Sequence, residues 1–233
     1  LIVQYNGRNW VDNGDPVSGV APKIWDDRVN LTLPDYDVFE IDASGSIPRV
    51  INRVSGVGTT LFNMAVNPQN GQVYVSNQEA RNVVRFEGPG NNATTVNGHF
   101  VESRITVLQN GVARPRHLNK HIDYSRDLGT SSEKSRALAI PLEMAISPDG
   151  GKLYLAAMGS GKLARFDTNA LAADSFTPSE DNQVTLSGGG PTGVVLDSAR
   201  NRAYVATRFD NGISVVSTAN PMTETAHIRM FNP

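Results

Sequence analysis

The stretch "ARPRHLNKHIDYSRD" concentrates the side chains of this protein that could do chemistry: Arg114, Arg116, His117, Lys120, His121, Asp123 and Tyr124. His117 and His121 are four positions apart, so one helical turn would set both imidazoles on one side as a metal pair. Asp123 is the nearest third ligand in sequence, and His-x-x-x-His without its glutamate is a weak metal signature. The plainer reading has both histidines hydrogen-bonding within their own loop, and a third has them touching a partner. The basic residues fit a docking surface or a solvated face equally.

Other motifs fail on context. Gly188 to Gly193 ("GGGPTG") satisfies G-x-G-x-x-G, but a dinucleotide fingerprint must follow a strand and open a helix. Here Pro191 opens an apolar strand, and the glycines read as a sharp turn. "GSGK" at Gly159 has Ala156 where a phosphate loop needs its first glycine. There is no G-x-S-x-G elbow. Asp26 and Asp27 form a carboxylate pair with nothing nearby to separate their pKa values.

The elements that must position these residues are repeated. "LFNMAVNPQNGQVYVSN" from Leu61 returns as "LEMAISPDGGKLYLAA" from Leu142 and "PTGVVLDSARNRAYVAT" from Pro191. Tyr74, Tyr154 and Tyr204 hold the same place in the three copies, as do Met64, Met144 and Val194. Each copy continues into an alternating segment: "NVVRFEG" from Asn82, "KLARFDT" from Lys162 and "GISVVST" from Gly212, with Phe86, Phe166 and Val216 in register. A fourth strand closes each unit: "RITVL" from Arg104, "QVTLS" from Gln183 and "TAHIRM" from Thr225. Short β-rich runs separated by Pro, Asp, Asn and Gly turns read as antiparallel strands. Four such strands per unit of roughly 40–50 residues make the blade of a β-propeller. The fold class is therefore all-β, with the three tyrosines expected to pack between blades.

The blades divide the chain. Residues 1–35 read as an irregular or partial blade start and 36–58 as the end of one blade. Residues 59–108, 141–187 and 188–233 read as full blades. The segment 109–140 reads as an inserted loop, too long for an ordinary connection and therefore functional or disordered, and dispensable to the blades. By strand order it shares a face with the middle loops "NQEARN", "MGSGK" and "RFDNG". That adds Glu79, Arg81, Arg208 and Asp210 to the candidate partner-binding set. Propellers close with about four to eight blades, so this count reads as an incomplete arc of roughly four, finished by the remainder of the protein or a second chain. The start at Leu1 without Met agrees with that reading, and a closed four-bladed ring is the alternative.

Composition excludes more than it assigns. A net charge of −2 and a pI near 6.1 lack the basic footprint of a nucleic-acid or anionic-membrane surface. No apolar run reaches the ~20 residues of a membrane span. The absence of cysteine excludes disulfides, thiolate metal sites and covalent haem attachment within these residues.

The repeats "AVNPQNGQVYVSN" and "AISPDGGKLYLAA…KLARFDT" resemble those of the YVTN family of β-propellers, over roughly residues 36–230. "YNGRNWVDNG", "LPDYDVFEIDA", "RPRHLNKHIDYS" and "SGGGPTGVVLD…ATRFDNGISVV" resemble, more narrowly, bacterial exported proteins in which a propeller is fused to a c-type cytochrome region. The resemblance implies a seven-bladed particle, a periplasmic or extracellular location and a redox partner carrying haem. It makes the chain a non-catalytic scaffold without a cofactor of its own. The enzymatic alternative, a lactonase-like or cofactor-dependent dehydrogenase-like propeller, finds no catalytic positions that match residue by residue.

Overall fold

The computed structural model describes residues 3–6, 8–12, 14, 19–29, 36–81, 96, 99, 101–126 and 128–230. Strands β1 (Gln4–Tyr5) and β2 (Trp10–Val11) form a small hairpin of their own. Asp12 and Asp26 stitch it together: Asp26 accepts from the Trp10 amide at 2.6 Å and Asp12 from the Trp25 indole at 2.9 Å. These bonds occupy one member of the Asp26–Asp27 pair. Strands β3 (Val38–Asp42) and β4 (Arg49–Val54) form a second two-stranded sheet. The first hairpin does not join it, so the described part of 1–35 supplies no inner strands for that blade. Its few residues satisfy their polar groups locally instead.

The first full blade comprises β5 (Thr60–Val66), β6 (Val73–Ala80), β7 (Val101–Gln109) and β8 (Val112–His117). It corrects two expectations. "RITVL" belongs to the third strand, where Val107 pairs with Tyr74 and Leu108 stands opposite Val73, as Phe166 stands opposite Leu153. "NVVRFEG" and Phe86 lie outside the described residues, and the place they were expected to fill beside β6 is taken by β7. The fourth strand is β8, inside the segment read as an inserted loop. Asn110 and Gly111, at φ 51° and 74°, make a two-residue turn of the kind Asn-Gly favours between paired strands.

The connection to the next blade begins at Leu118, and it is no loose insertion. Leu118 and Leu138 are buried in the core, and Asn119 clips the segment's ends through two 2.8 Å bonds to the Leu138 backbone. Helix α1 (Ser131–Arg136) starts where Thr130 and Glu133 cap each other reciprocally, as the Thr-x-x-Glu spacing allows. Replacing 109–140 by a short linker would delete a strand and two core leucines, so the segment is not dispensable.

The second blade has β9 (Pro141–Ile146), β10 (Lys152–Ala157), β11 (Lys162–Asp167) and β12 (Gln183–Thr185), with helix α2 (Thr168–Ala173) between the last two. The third has β13 (Pro191–Asp197), β14 (Arg202–Thr207), β15 (Gly212–Ser217) and β16 (Thr223–Arg229). Before β13, Gly190 turns at φ 54°, and a Cβ there would sit 2.8 Å from the Phe209 ring. The triple glycine is thus a tight approach to a neighbouring turn.

Blades bury their faces on one another through a repeated contact. Tyr74 and Met144 share one core cluster, and Tyr154 and Val194 share the next. The pattern stops at each end. Met64 is 58% exposed where Met144 is 5% and Val194 3%. Tyr204, expected to pack between blades, is half-buried, and its strand partner Val195 is 66% exposed. The β3–β4 hairpin packs against the first blade through Val38 and Val54, which cluster with Leu61 and Val75, yet leaves Met64 exposed. No helix among the described residues is long and apolar enough to cross a membrane.

Candidate functional site

The end of the first blade that carries the β6–β7 and β8–β9 connections assembles a polar cluster. In the β7–β8 hairpin Arg104 pairs with His117, which places His117 beside Glu102 near the start of β7. His99, just before β7, has a left-handed backbone at φ 37°. Its Nε2 lies 3.1 Å from Glu102 Oε1 yet has no hydrogen-bond partner of adequate geometry. Tyr124, from the connection after β8, stacks on the His99 ring at 3.5 Å and 6°. Its hydroxyl lies 3.3 Å from His117 Nε2. One ligand atom from each of His99, Glu102 and His117 lies within 4.8 Å of the others.

Charges flank this group. Arg104 donates to Glu102 Oε2 at 2.5 Å, and Arg81 reaches Glu102 Oε1 at 3.0 Å. Glu79 lies 3.6 Å from Arg104 and accepts from the Thr59 amide and hydroxyl. Two arginines therefore face two glutamates. Burial pushes the Glu102 carboxyl up, but His99 and Arg104 outweigh it and hold the group at about 2. Burial lowers His117 to about 4, against the opposing pull of Glu102. Burial and the Glu102 charge raise the Tyr124 phenol to about 12. At neutral pH the cluster thus presents a carboxylate, a neutral His117 imidazole and an un-ionised phenol.

The other expected site residues scatter. His121 does not pair with His117: its Nε2 donates to the Glu133 carbonyl at 2.9 Å, because residues 118–121 form a turn held by Asn119, not a helix. Burial also lowers the His121 pKa. Asp123 is exposed and receives the Ser125 amide and hydroxyl. Lys120 binds Asp174 at 3.2 Å and lies 3.9 Å from the Phe176 ring centre. Arg114 is exposed in the middle of the outer strand β8, away from the loop end. Arg208 is exposed, while Asp210 receives Thr207 at 2.8 Å and His227 at 2.5 Å.

Arg116 departs furthest from a docking role. It is buried, and its Nε and Nη2 donate to the carbonyls of Leu171 and Ala172 at 2.5 and 2.6 Å. A guanidinium there caps the carbonyls at the end of α2, that of Leu171 shared with the Asp174 amide, and complements the helix dipole. Arg116→Ala is expected to cost about 2–3 kcal/mol in a denaturant melt, the range for charged hydrogen bonds, and Arg116→Lys somewhat less. A loss under 0.5 kcal/mol in both would remove the capping role.

Sequence reasoning missed His99, Glu102 and Arg104. The signal was there in the Asn110-Gly111 turn, which sets the hairpin register and so brings His117 across from Arg104. It also missed Ser214, whose hydroxyl lies 3.1 Å from His227 Nδ1, while His227 Nε2 meets Asp210. These are the residue types of a hydrolytic triad, but Ser214 is completely buried. The set ties β15 and β16 to the loop at Asp210.

No protein-family model matches the chain, and no curated protein does. Solved structures do. A putative 6-phosphogluconolactonase from Bacteroides fragilis NCTC 9343 superposes with a TM-score of 0.52 at 15% identity, over 83% of this chain and 49% of that one. A protein from Lactobacillus plantarum gives 0.50 at 17% identity, over 82% and 49%. Hydrazine synthase from Kuenenia stuttgartiensis gives 0.49 at 21%, over 75% and 49%. The chain spans about half the length of each of these structures. Likeness at such identities establishes fold alone, and the fold is an all-β propeller of four-stranded antiparallel blades.

Proposed function

We propose that the chain is a non-catalytic scaffold within a larger β-propeller: its open sheet faces take further blades, and its loop-bearing end docks a partner. The observation that carries the scaffold is the interrupted repeat, with Met64 and Val195 exposed at positions whose internal counterparts are covered. Docking is supported by the long connections gathered at one end. The Met158 and Gly159 amides bond the Ile140 and Ala139 carbonyls, and the Arg208 amide bonds that of Gly190, so at this end of the second and third blades the entering connection is tied to the middle loop. The sequence resemblance supplies the partner's class, a c-type cytochrome domain or protein carrying the haem, and an extracytoplasmic bacterial setting. A lactonase-like or dehydrogenase-like reading has only the shared fold behind it, and a fold hosts many chemistries.

Lys120 pairs with Asp174 and lies over the core ring of Phe176, so Arg208, an exposed cation of this end, tests docking without touching the core. Arg208→Glu is expected to weaken binding to the cognate cytochrome several-fold at low salt and to flatten its salt dependence, chiefly through association rate. Titrations at two ionic strengths, beside a melt showing unchanged stability, measure this. Equal affinity at both salts would reject docking at this end.

A further inference from the structure

We propose that His99, Glu102 and His117 form a binding site for a divalent transition-metal cation of the zinc class, independent of any partner that docks. Two imidazoles and a carboxylate are the ligand types such ions take. One atom from each already lies within 4.8 Å of the others, close enough for small side-chain shifts to bring them round one ion. The His99 Nε2 is buried and lies 3.1 Å from Glu102 Oε1 without a well-aligned hydrogen bond, an arrangement that coordination by a shared ion would satisfy. Tyr124 lies flat over His99 and sets its hydroxyl near His117 Nε2. It thereby fixes both rings, as the outer partners of metal-bound histidines do.

The arginines decide how the ion enters. Arg104 is mostly buried and grips Glu102 Oε2, while Arg81, on Oε1, is 40% exposed. An incoming cation takes the place of Arg81 at Oε1 and supplies the positive charge that the buried carboxylate needs, while the 40% exposed Arg81 side chain swings towards water. Arg104 stays and orients the carboxylate. The competing arrangement is a metal-free network of ion pairs, in which Arg81 keeps its place.

The test uses the complete protein, stripped with a chelator and titrated with zinc chloride by calorimetry, with cobalt(II) absorption reporting coordination. One equivalent of zinc is expected, with a tetrahedral cobalt spectrum. His99→Ala, Glu102→Gln and His117→Ala should each weaken binding at least tenfold, whereas His121→Ala leaves it unchanged. Arg81→Ala should tighten it, because a competing cation is gone. Zinc should also raise the melting temperature of the parent protein and not of the His117→Gln variant, which keeps the reading valid if an alanine variant folds poorly. No stoichiometric zinc, or zinc retained by the His99→Ala/His117→Ala double variant, would overturn the proposal. So would weaker binding in Arg81→Ala.

Discussion

Tyr74→Ala is expected to destabilise the folded chain by about 3–5 kcal/mol, Tyr154→Ala by a similar amount, and Tyr204→Ala by less than about 1 kcal/mol. The three tyrosines occupy one repeat position, so the difference arises from what faces them. Tyr74 is fully buried among Met144, Leu153, Leu155 and Phe166 of the next blade, and its hydroxyl donates to Gln72 at 3.0 Å. Truncation would leave a cavity between two sheets that strand pairing prevents from closing, and the cavity adds to the lost transfer energy. Tyr154 lies among Val194, Ala203 and Val205 in the same way. Among the described residues no further blade covers Tyr204, which is half-buried. Denaturant melts of the three variants check the order, and three equal losses would mean that the blade stacking described here is wrong. If further blades cover the third sheet, the same Tyr204→Ala change measured in the complete propeller should rise towards the cost of the other two.

The repeat was legible because buried strands advertise themselves. β10 and β14 are continuous apolar runs around a tyrosine, and the turns before them carry Asp, Asn or Gly. β8 was not legible as a strand, for an equally physical reason. It is the outermost strand of its blade, largely exposed, so nothing demands apolar alternation, and Pro115 is tolerated there because an edge strand need not donate on both sides. Its polar residues read as loop. The metal cluster was hidden by that misreading: His99, Glu102 and His117 meet only through the β7–β8 register. Arg116 shows the converse hazard. A run of basic residues suggests a solvated surface, yet Arg114 and Arg116, two apart in β8 and so on one face of it, differ in what covers them: Arg116 is buried against the end of α2 while Arg114 faces water.

The purified 233-residue chain is expected to self-associate, and co-production with the blades proposed to complete it should yield a discrete particle instead. The driving force is specific apolar surface. Phe62, Met64 and Val66 line one face of β5, and Phe39, Ile41, Val50 and Ile51 stand exposed on the β3–β4 sheet. At the other end Val195 and Ile228 are exposed on the third blade. Apolar side chains exposed in this way mark interaction surfaces, and the internal counterparts of Met64 and Val195 already pack into blade interfaces. The faces at the two ends carry the two halves of one contact, a methionine-type half and a tyrosine-type half. Association is therefore head-to-tail, which forms rings or open chains and does not stop at a dimer by symmetry. Met64→Asp and Val195→Asp should each suppress it, since either removes one half, and combining them should add little. Light scattering with small-angle X-ray scattering reads the outcome. A compact particle of 25.1 kDa at high concentration, closed into a four-bladed ring, would sink the reading of the exposed faces as seats for further blades.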